Sequence, residues 1–101
     1  MAQTLPRLTI GLPVYNGARY LAQALESYLG QTFTDFELLI SDNASTDATP
    51  DICRAFAARD GRIRYTRNQM NLGAGPNFNK VYRDSRPAPF FKWTAADDVY
   101  A

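Results

Sequence analysis

The chain has 101 residues, which is enough for one small domain with a modest core and too few for a second domain. Its 11 Lys and Arg residues against 10 Asp and Glu residues give a formal charge of +1. No overall field therefore attracts nucleic acid or an anionic membrane, and we expect no nucleic-acid partner. The chain has no His, which removes the usual general base and the usual zinc ligand.

The single cysteine, Cys53, cannot form an internal disulfide, and we expect it to be a small buried side chain. Residues 1–7 lack the basic segment and long apolar run of a signal peptide. No window of the sequence reaches the length of a membrane span. We expect a cytoplasmic protein, with peripheral attachment to the inner face of the membrane as an option for the full-length form.

The first half of the chain alternates strand and helix patterns. Residues 8–12 alternate in hydrophobicity and predict a strand that ends at Pro13. Asn16 is expected to cap a helix, because apolar residues recur between 20 and 29 at three- and four-residue spacing. Residues 36–40 are apolar except for Glu37, and this predominantly apolar stretch favours a strand covered on both faces of a sheet.

The second half continues the same alternation. Thr49 is expected to cap a helix that has Pro50 at its first position and ends near Gly61. Residues 62–67 alternate basic and apolar side chains, which is typical of a strand at a sheet edge. A glycine-containing loop then enters a third helix, and residues 90–94 predict a fourth strand. The apolar face of the third helix is expected to comprise Phe78, Val81 and Tyr82, and Trp93 of the fourth strand is expected in the core.

This order predicts an α/β fold with three layers, α/β/α, and a mainly parallel sheet of the Rossmann-like type. In such a sheet, ligands bind beyond the carboxyl ends of the strands. Polar segments follow all four predicted strands, at 13–16, 42–43, 68–75 and 97–98. The adjacent carboxylates of the last segment either have a cation that neutralises them or form a solvated acidic turn.

Four motifs stand out along the chain, namely Leu12-Pro13-Val14-Tyr15-Asn16-Gly17, Ile40-Ser41-Asp42-Asn43-Ala44-Ser45-Thr46-Asp47, Asn71-Leu72-Gly73 and Asp97-Asp98. Together these motifs resemble the amino-terminal half of the family 2 glycosyltransferases of the GT-A fold. The resemblance covers nearly the whole chain. The first two motifs are specific in combination, at this separation and in this order, whereas the terminal acidic pair alone is weak.

The resemblance implies that the loop after the first strand lies along the base and ribose of a sugar-nucleotide donor. Pro13, Val14 and Tyr15 then shape the base pocket, and Asn16 belongs to the same donor-binding loop. Pro13 fixes the turn and Tyr15 offers a flat ring for stacking. The alternative for Tyr15 is packing in the core.

The resemblance also implies contacts from later loops. Asp42 would accept a hydrogen bond from the imide of a uridine-type base, and its alternative is to cap the following turn. Asn71 and Gly73 would lie near the ribose and diphosphate, with a plain turn as the alternative for Gly73. Three further residues are expected to order the loop after the second strand, namely Asn43, Ser45 and Asp47.

Asp97 and Asp98 match the region in which the family holds Mg²⁺ or Mn²⁺ against the donor diphosphate. Hard oxygen ligands suit this chemistry, because the departing nucleoside diphosphate must be neutralised. The commoner motif has an Asp where this chain has Ala95. The resemblance therefore assigns Asp97 and Asp98 jointly to ribose and metal contact.

The function implied is transfer of a sugar, with inversion and metal assistance, from a nucleoside-diphosphate donor, with UDP favoured, to a hydroxyl of a sugar, lipid or polysaccharide acceptor. An inverting transfer needs a general base, and the resemblance places it beyond Ala101. Residues 1–101 are thus expected to be the donor-binding part of a transferase domain, inactive alone, with an unpaired sheet edge that favours self-association.

Two alternatives differ in class. One is a catalytically inert nucleotide-binding or structural fragment of such an enzyme. The other is a receiver-type signalling domain, which also places acids and Mg²⁺ at the rim of a parallel sheet. A receiver needs an acidic cluster after the first strand, where this chain has Pro13-Val14-Tyr15-Asn16.

Overall fold

The computed structural model describes residues 7–31, 34–84 and 90–94. Strands and helices alternate along these ranges, and the strands form one parallel sheet in the order β3-β2-β1-β4. The predicted α/β fold and the edge position of the third strand are confirmed. The elements are β1 (Leu8–Val14), α1 (Ala18–Leu29), β2 (Phe36–Asp42), α2 (Thr49–Arg59), β3 (Ile63–Arg67), α3 (Ala74–Asp84) and β4 (Phe90–Trp93).

The main core lies between the sheet and the helices α1 and α2. All seven residues of β2 are buried, which confirms the expectation of a strand covered on both faces. The opposite face of the sheet is covered by α3, where Val81 is fully buried. The core side chains come from β1 (Ile10, Leu12, Val14), β2 (Phe36, Leu38, Ile40), β3 (Ile63), α1 (Leu21, Leu25) and α2 (Cys53, Phe56).

Strand β1 runs through Pro13 to Val14, so the prediction that Pro13 ends it is wrong. The Gly11 carbonyl accepts a hydrogen bond from the Thr94 amide, which follows β4. The Val14 carbonyl accepts one from the Asn43 amide, which follows β2 on the other side of β1. Because successive residues of a strand face opposite neighbours, the nitrogen of Pro13 faces the β4 side. Among the described residues the pairing of β1 with β4 ends at Gly11, so within them Pro13 interrupts no ladder hydrogen bond.

Both predicted helix caps are wrong by one residue. The cap of α1 is Gly17 and the cap of α2 is Ala48, and neither helix has a side-chain cap of its own. The side chain of Asn16 instead accepts a hydrogen bond from the Thr46 amide, and the Thr49 hydroxyl accepts one from Gly17. Both side chains thus form hydrogen bonds between the segment that precedes α1 and the segment that opens α2.

The aromatic side chains of α3 and β4 are more exposed than the sequence predicts. Phe78 is 40% exposed, Tyr82 56% and Trp93 45%, so the assignment of Trp93 to the core is wrong. Phe91 packs edge-to-face on both Tyr82 and Trp93, with ring centroids 5.0 Å apart in each pair. The physical reason is position, because β4 is the outer strand of the described sheet and has a strand neighbour, β1, on one side only.

The described residues contain no helix that is both long enough and apolar enough to cross a membrane.

Candidate functional site

The carboxyl ends of β1, β2 and β3 lie side by side. Val14, Asp42 and Arg67 are partners in the two registers that join these strands. The loops that follow them therefore meet at one rim of the sheet, as parallel strands require. Three of the four predicted polar segments lie at this rim, and the fourth, Asp97-Asp98, lies outside the described residues.

The loop between β1 and α1 is held by side chains from the loop and first turn that follow β2. Three successive backbone amides, which lead into the first residue of α1, donate to three side-chain oxygens of that segment. The first turn of α1 has no acidic residue, so these oxygens satisfy amides that would otherwise lack partners. The pairs are Asn16 with Ser45 at 2.8 Å, Gly17 with Thr49 at 3.0 Å, and Ala18 with Asp47 at 3.1 Å.

The Asp47 carboxylate is suited to this capping role by its surroundings. Burial acts to raise the pKa of Asp47, but hydrogen bonds from the Thr49 hydroxyl, the Thr49 amide and the Ala18 amide outweigh it and hold the pKa below its usual range. The charge also lies at the positive end of the α1 dipole. Asp47 and Ser45 thus order the loops at the rim, as expected.

Asp42 is fully buried at the end of β2. One carboxylate oxygen accepts a hydrogen bond from the Ser45 amide at 2.9 Å, and the other accepts one from the Tyr65 hydroxyl at 2.6 Å. The guanidinium of Arg67 lies 4.0 Å from the second oxygen. The carboxylate therefore caps the turn that follows β2, which was the alternative to base contact, and its contact with a base stays a prediction.

Tyr65 is kept neutral by the same arrangement. Burial, together with the hydrogen bond to Asp42 and the charge of that carboxylate, raises the pKa of Tyr65 well above its usual range. The phenol therefore remains a hydrogen-bond donor to Asp42 at any physiological pH. Its position on β3 ties the edge strand to the end of β2.

Asn71 and Gly73 form a turn at the surface of the rim. The Gly73 amide donates to the Asn71 side-chain oxygen at 2.7 Å, and Gly73 has a φ of +89°. That conformation is one that side chains other than glycine adopt with strain. Both residues contact the buried side chain of Asn43. Their predicted contact with a ribose or diphosphate stays a prediction.

A cavity of about 80 Å³ opens between the β1–α1 loop and the first turn of α3. The Tyr15 side chain at its wall is 50% exposed, so packing in the core does not account for that ring. A second cavity of about 390 Å³ shares two wall residues, Ala74 and Phe78, with the first. The smaller cavity is lined by Pro13, Val14, Tyr15, Asn43, Ala74, Asn77 and Phe78.

Sequence reasoning missed Asn77 and Phe78 as wall residues of this cavity. Asn77 is 2% exposed and donates from its side-chain nitrogen to the Ser41 carbonyl at 3.0 Å. A polar residue on an otherwise apolar helix face, one turn after Gly73, was the available signal. Asn16, in contrast, lies outside the set of wall residues and pairs with Thr46 at the surface.

Residues 7–31, 34–84 and 90–94 contain no group of three or more His, Cys, Asp or Glu side chains placed to hold a metal ion. The predicted metal ligands Asp97 and Asp98, and Ala95 before them, lie outside these ranges. Cys53 is fully buried in the core, as expected.

The sequence model of the family described as Glycosyl transferase family 2 matches residues 9–101. The chain belongs to this family. Membership excludes the receiver-domain alternative and confirms the resemblance given by the sequence motifs. The four-stranded parallel sheet with its flanking helices is the GT-A fold.

Curated relatives agree with this assignment. The chain is 33% identical over 95 residues to an uncharacterised glycosyltransferase of Rickettsia prowazekii, covering 94% of the chain and 28% of that protein. It is 38% identical over 79 residues to a chondroitin synthase of Escherichia coli, covering 78% of the chain and 11% of that protein. The chain thus spans between about a tenth and about a quarter of the length of these relatives.

Solved structures share the fold. The crystal structure of S. aureus TarS 1-349 superposes with a TM-score of 0.81 at 23% identity, over 90% of this chain and 27% of that one. TarS 1-349 has also been solved in complex with UDP-GlcNAc and in complex with UDP. The mannosyltransferase PcManGT from Pyrobaculum calidifontis, in complex with GDP-Man and Mn²⁺, superposes with a TM-score of 0.73 at 26% identity, over 80% of this chain and 25% of that one.

Proposed function

We propose that residues 1–101 are the donor-binding part of a glycosyltransferase that moves a sugar from a nucleoside-diphosphate donor to an acceptor hydroxyl with inversion. The observation that carries this proposal is the cavity at the carboxyl end of β1, because Pro13, Val14 and Tyr15, which the family resemblance assigns to the base, all line it. Ligands of open parallel sheets bind at this end of the strands. A UDP-type donor is favoured, and TarS, a structural neighbour, binds UDP-GlcNAc.

The cavity walls suit a nucleotide. The half-exposed ring of Tyr15 offers a stacking surface for a base, and Phe78 adds apolar surface to the cavity wall. Asn77 uses one of its two side-chain N–H groups on the Ser41 carbonyl, so within the described residues the other can donate to an oxygen of the ligand. In this proposal Asp42 receives the imide N–H of the base once the Tyr65 hydroxyl shares or yields its oxygen.

We further propose that Asp97 and Asp98 hold Mg²⁺ or Mn²⁺ on the donor diphosphate. Carboxylate oxygens are the ligands that both cations prefer, and the neighbour PcManGT was solved with Mn²⁺ and GDP-Man. When bound, the cation neutralises the charge that develops on the departing nucleoside diphosphate. The residues of this chain then hold the nucleotide and orient the sugar toward the acceptor.

The acceptor site and the general base belong, in this proposal, to residues after Ala101. Within residues 1–101 the resemblance assigns no base, so we expect donor binding without sugar transfer from these residues alone. The acceptor is a hydroxyl of a sugar, lipid or polysaccharide. We also propose that the outer edge of β4 can pair with a second copy of the chain when the rest of the domain is missing.

Calorimetric titration tests the proposal directly. UDP, GDP and dTDP are added to the protein with and without Mn²⁺, and we expect UDP to bind best and Mn²⁺ to strengthen its binding. Tyr15→Ala should weaken binding by about tenfold, which corresponds to the loss of one stacked ring. Tyr82→Ala is the matched control, because this exposed Tyr lines neither cavity. No binding of any of the three nucleotides would overturn the donor-site proposal.

A further inference from the structure

Three buried asparagines form a hydrogen-bonded group between the end of β2, the loop after β3 and the first turn of α3. Asn43 is 3% exposed, Asn68 6% and Asn77 2%. We call these three residues the amide cluster. Buried amides require hydrogen-bond partners, and the choice of partners shows what each member holds in place.

The orientation of Asn43 is fixed by the backbone around it. Its side-chain oxygen accepts a hydrogen bond from the Leu72 amide at 2.8 Å, and its side-chain nitrogen donates to the Gly73 carbonyl at 3.2 Å. A backbone N–H can only donate and a backbone carbonyl can only accept, so the opposite orientation of the Asn43 amide would lose both bonds.

The amide orientations of Asn68 and Asn77 are fixed by their hydrogen-bond partners in the same way. The Asn77 side-chain nitrogen donates to the Ser41 carbonyl, so its oxygen accepts from the Ser41 hydroxyl and from the nitrogen of Asn68. The Asn68 nitrogen also donates to the Asn43 oxygen at 3.0 Å. The orientation of Asn68 leaves its own oxygen buried without a partner among the described residues. A reversed amide would instead place that oxygen against two others.

Every hydrogen-bonding position of Asn43 is occupied. Its oxygen accepts two hydrogen bonds, from Leu72 and Asn68, and its nitrogen donates two, the second to the Asn71 side chain at 2.8 Å. An amide has two acceptor positions and two N–H groups, so none is left for a ligand. Asn43 lines the smaller cavity all the same, and any effect on a ligand must act through the loop that it holds.

That loop is the segment 71–73. Asn43 binds all three of its residues, and the Gly73 carbonyl, which it holds, also accepts the Asn77 amide that opens α3. We infer that Asn43 is a positioning residue for the nucleoside-diphosphate-sugar donor. It fixes the segment 71–73 and the start of α3 in the conformation that receives the donor. This inference rests on the proposed function, because it names how the proposed donor site is shaped.

The test uses Asn43→Asp in the full-length protein. The new carboxylate has the shape of the amide but brings an oxygen toward the Asn71 side chain and the Gly73 carbonyl, where a donor is needed. We expect the Kd for UDP to rise by about tenfold or more, and hydrogen exchange at the Leu72 and Gly73 amides to accelerate by about tenfold or more. Gln69→Glu is the matched control, because it makes the same charge change at an exposed residue of the same loop.

The two measurements separate this inference from the proposed function. If the wild-type protein binds no nucleotide, the proposed function is overturned. If the wild-type protein binds UDP and Asn43→Asp binds it within twofold of the same affinity, only the positioning role is overturned. Weaker binding with unchanged exchange at Leu72 and Gly73 would also overturn it, because the effect would then not act through the loop. Asn43→Ser, which is smaller and uncharged, gives the same comparison if Asn43→Asp fails to fold.

Discussion

The hydroxyl of Thr49 accepts a 3.0 Å hydrogen bond from the backbone N–H of Gly17, so the first turn of α2 completes the first turn of α1. Thr49 is fully buried, and its hydroxyl also donates to the Asp47 carboxylate. That carboxylate in turn accepts the Ala18 amide. One threonine therefore supports two adjacent amides of the loop that carries Tyr15.

Thr49→Val should test this support, because valine has nearly the same shape and lacks the hydroxyl. The half-buried Gly17 N–H would lose its partner, and we expect the free energy of unfolding to fall by about 1–3 kcal/mol. Urea unfolding followed by circular dichroism gives the value. Thr34→Val is the matched control at an exposed position and should change it by less than about 0.5 kcal/mol. Equal effects of the two substitutions would contradict the capping role.

Stability should fall in acid because two carboxylates are held ionised in the folded chain. Hydrogen bonds hold the pKa of Asp47 below its ordinary value of 3.8 against the effect of burial, and the Arg62 guanidinium does the same for Asp60. Their contribution is present above the ordinary value and is lost as the pH falls through the lower folded value.

We therefore expect the free energy of unfolding to decline as the pH falls below about 4. Urea unfolding between pH 2 and pH 7 measures the decline. In the Asp47→Asn, Asp60→Asn double variant the decline should be shallower. Superimposable acid profiles for the wild-type and double-variant proteins would show that these two carboxylates do not supply the effect.

Cys53 should be chemically inert in the native protein. Burial, followed by the nearby negative charge of Asp42, raises the pKa of the Cys53 thiol to about 12. Iodoacetamide at pH 8 should label the native chain only as fast as the chain opens, and the rate should rise with added urea. The same chain in concentrated urea is the positive control. Rapid stoichiometric labelling of the native protein would contradict the burial of this thiol.

Gly11→Ala should disturb the contact between β1 and α3. A Cβ on Gly11 would lie 2.3 Å from the Val81 Cγ1 and 2.7 Å from the Phe91 Cζ, which is closer than packed atoms allow. We expect a loss of about 1–3 kcal/mol in the free energy of unfolding, measured by urea denaturation. Gly61→Ala, where a Cβ meets nothing within 4 Å, is the control.

A double variant sharpens the Gly11 test. Val81→Ala removes the methyl group that the new Cβ would strike, so the double variant should lose less stability than the sum of the two single variants. Strict additivity would indicate that Gly11 and Val81 do not compete for the same space.

The order of the elements and the parallel sheet were predictable from the sequence because they depend on local patterns. The predominantly apolar stretch at 36–40 indicates a buried strand wherever such a stretch occurs. Whether Pro13 ends β1 depends instead on which neighbour its nitrogen faces, and that follows from the sheet order. The exposure of Trp93 likewise depends on what packs beyond β4, which no pattern within the strand specifies.

The candidate site likewise contains some residues whose roles were predictable from the sequence and others whose roles were not. Tyr15 and its neighbours were predictable as rim residues because they follow a strand. The roles of Thr49 and Asn43 were not, because each acts on backbone groups far along the chain. Local propensity predicted that Thr49 caps its own helix, α2. In the structure its hydroxyl instead accepts the amide of Gly17, the residue before α1.

The bonds that hold the β1–α1 loop have a consequence for the order of folding. Each joins residues that are 29 to 32 positions apart. Helices α1 and α2 can form from local contacts, but these bonds require β1 and β2 to have paired first. We expect the rim to be the last part of the described chain to become ordered and the first to open, so that amide exchange at residues 16–18 runs ahead of global unfolding.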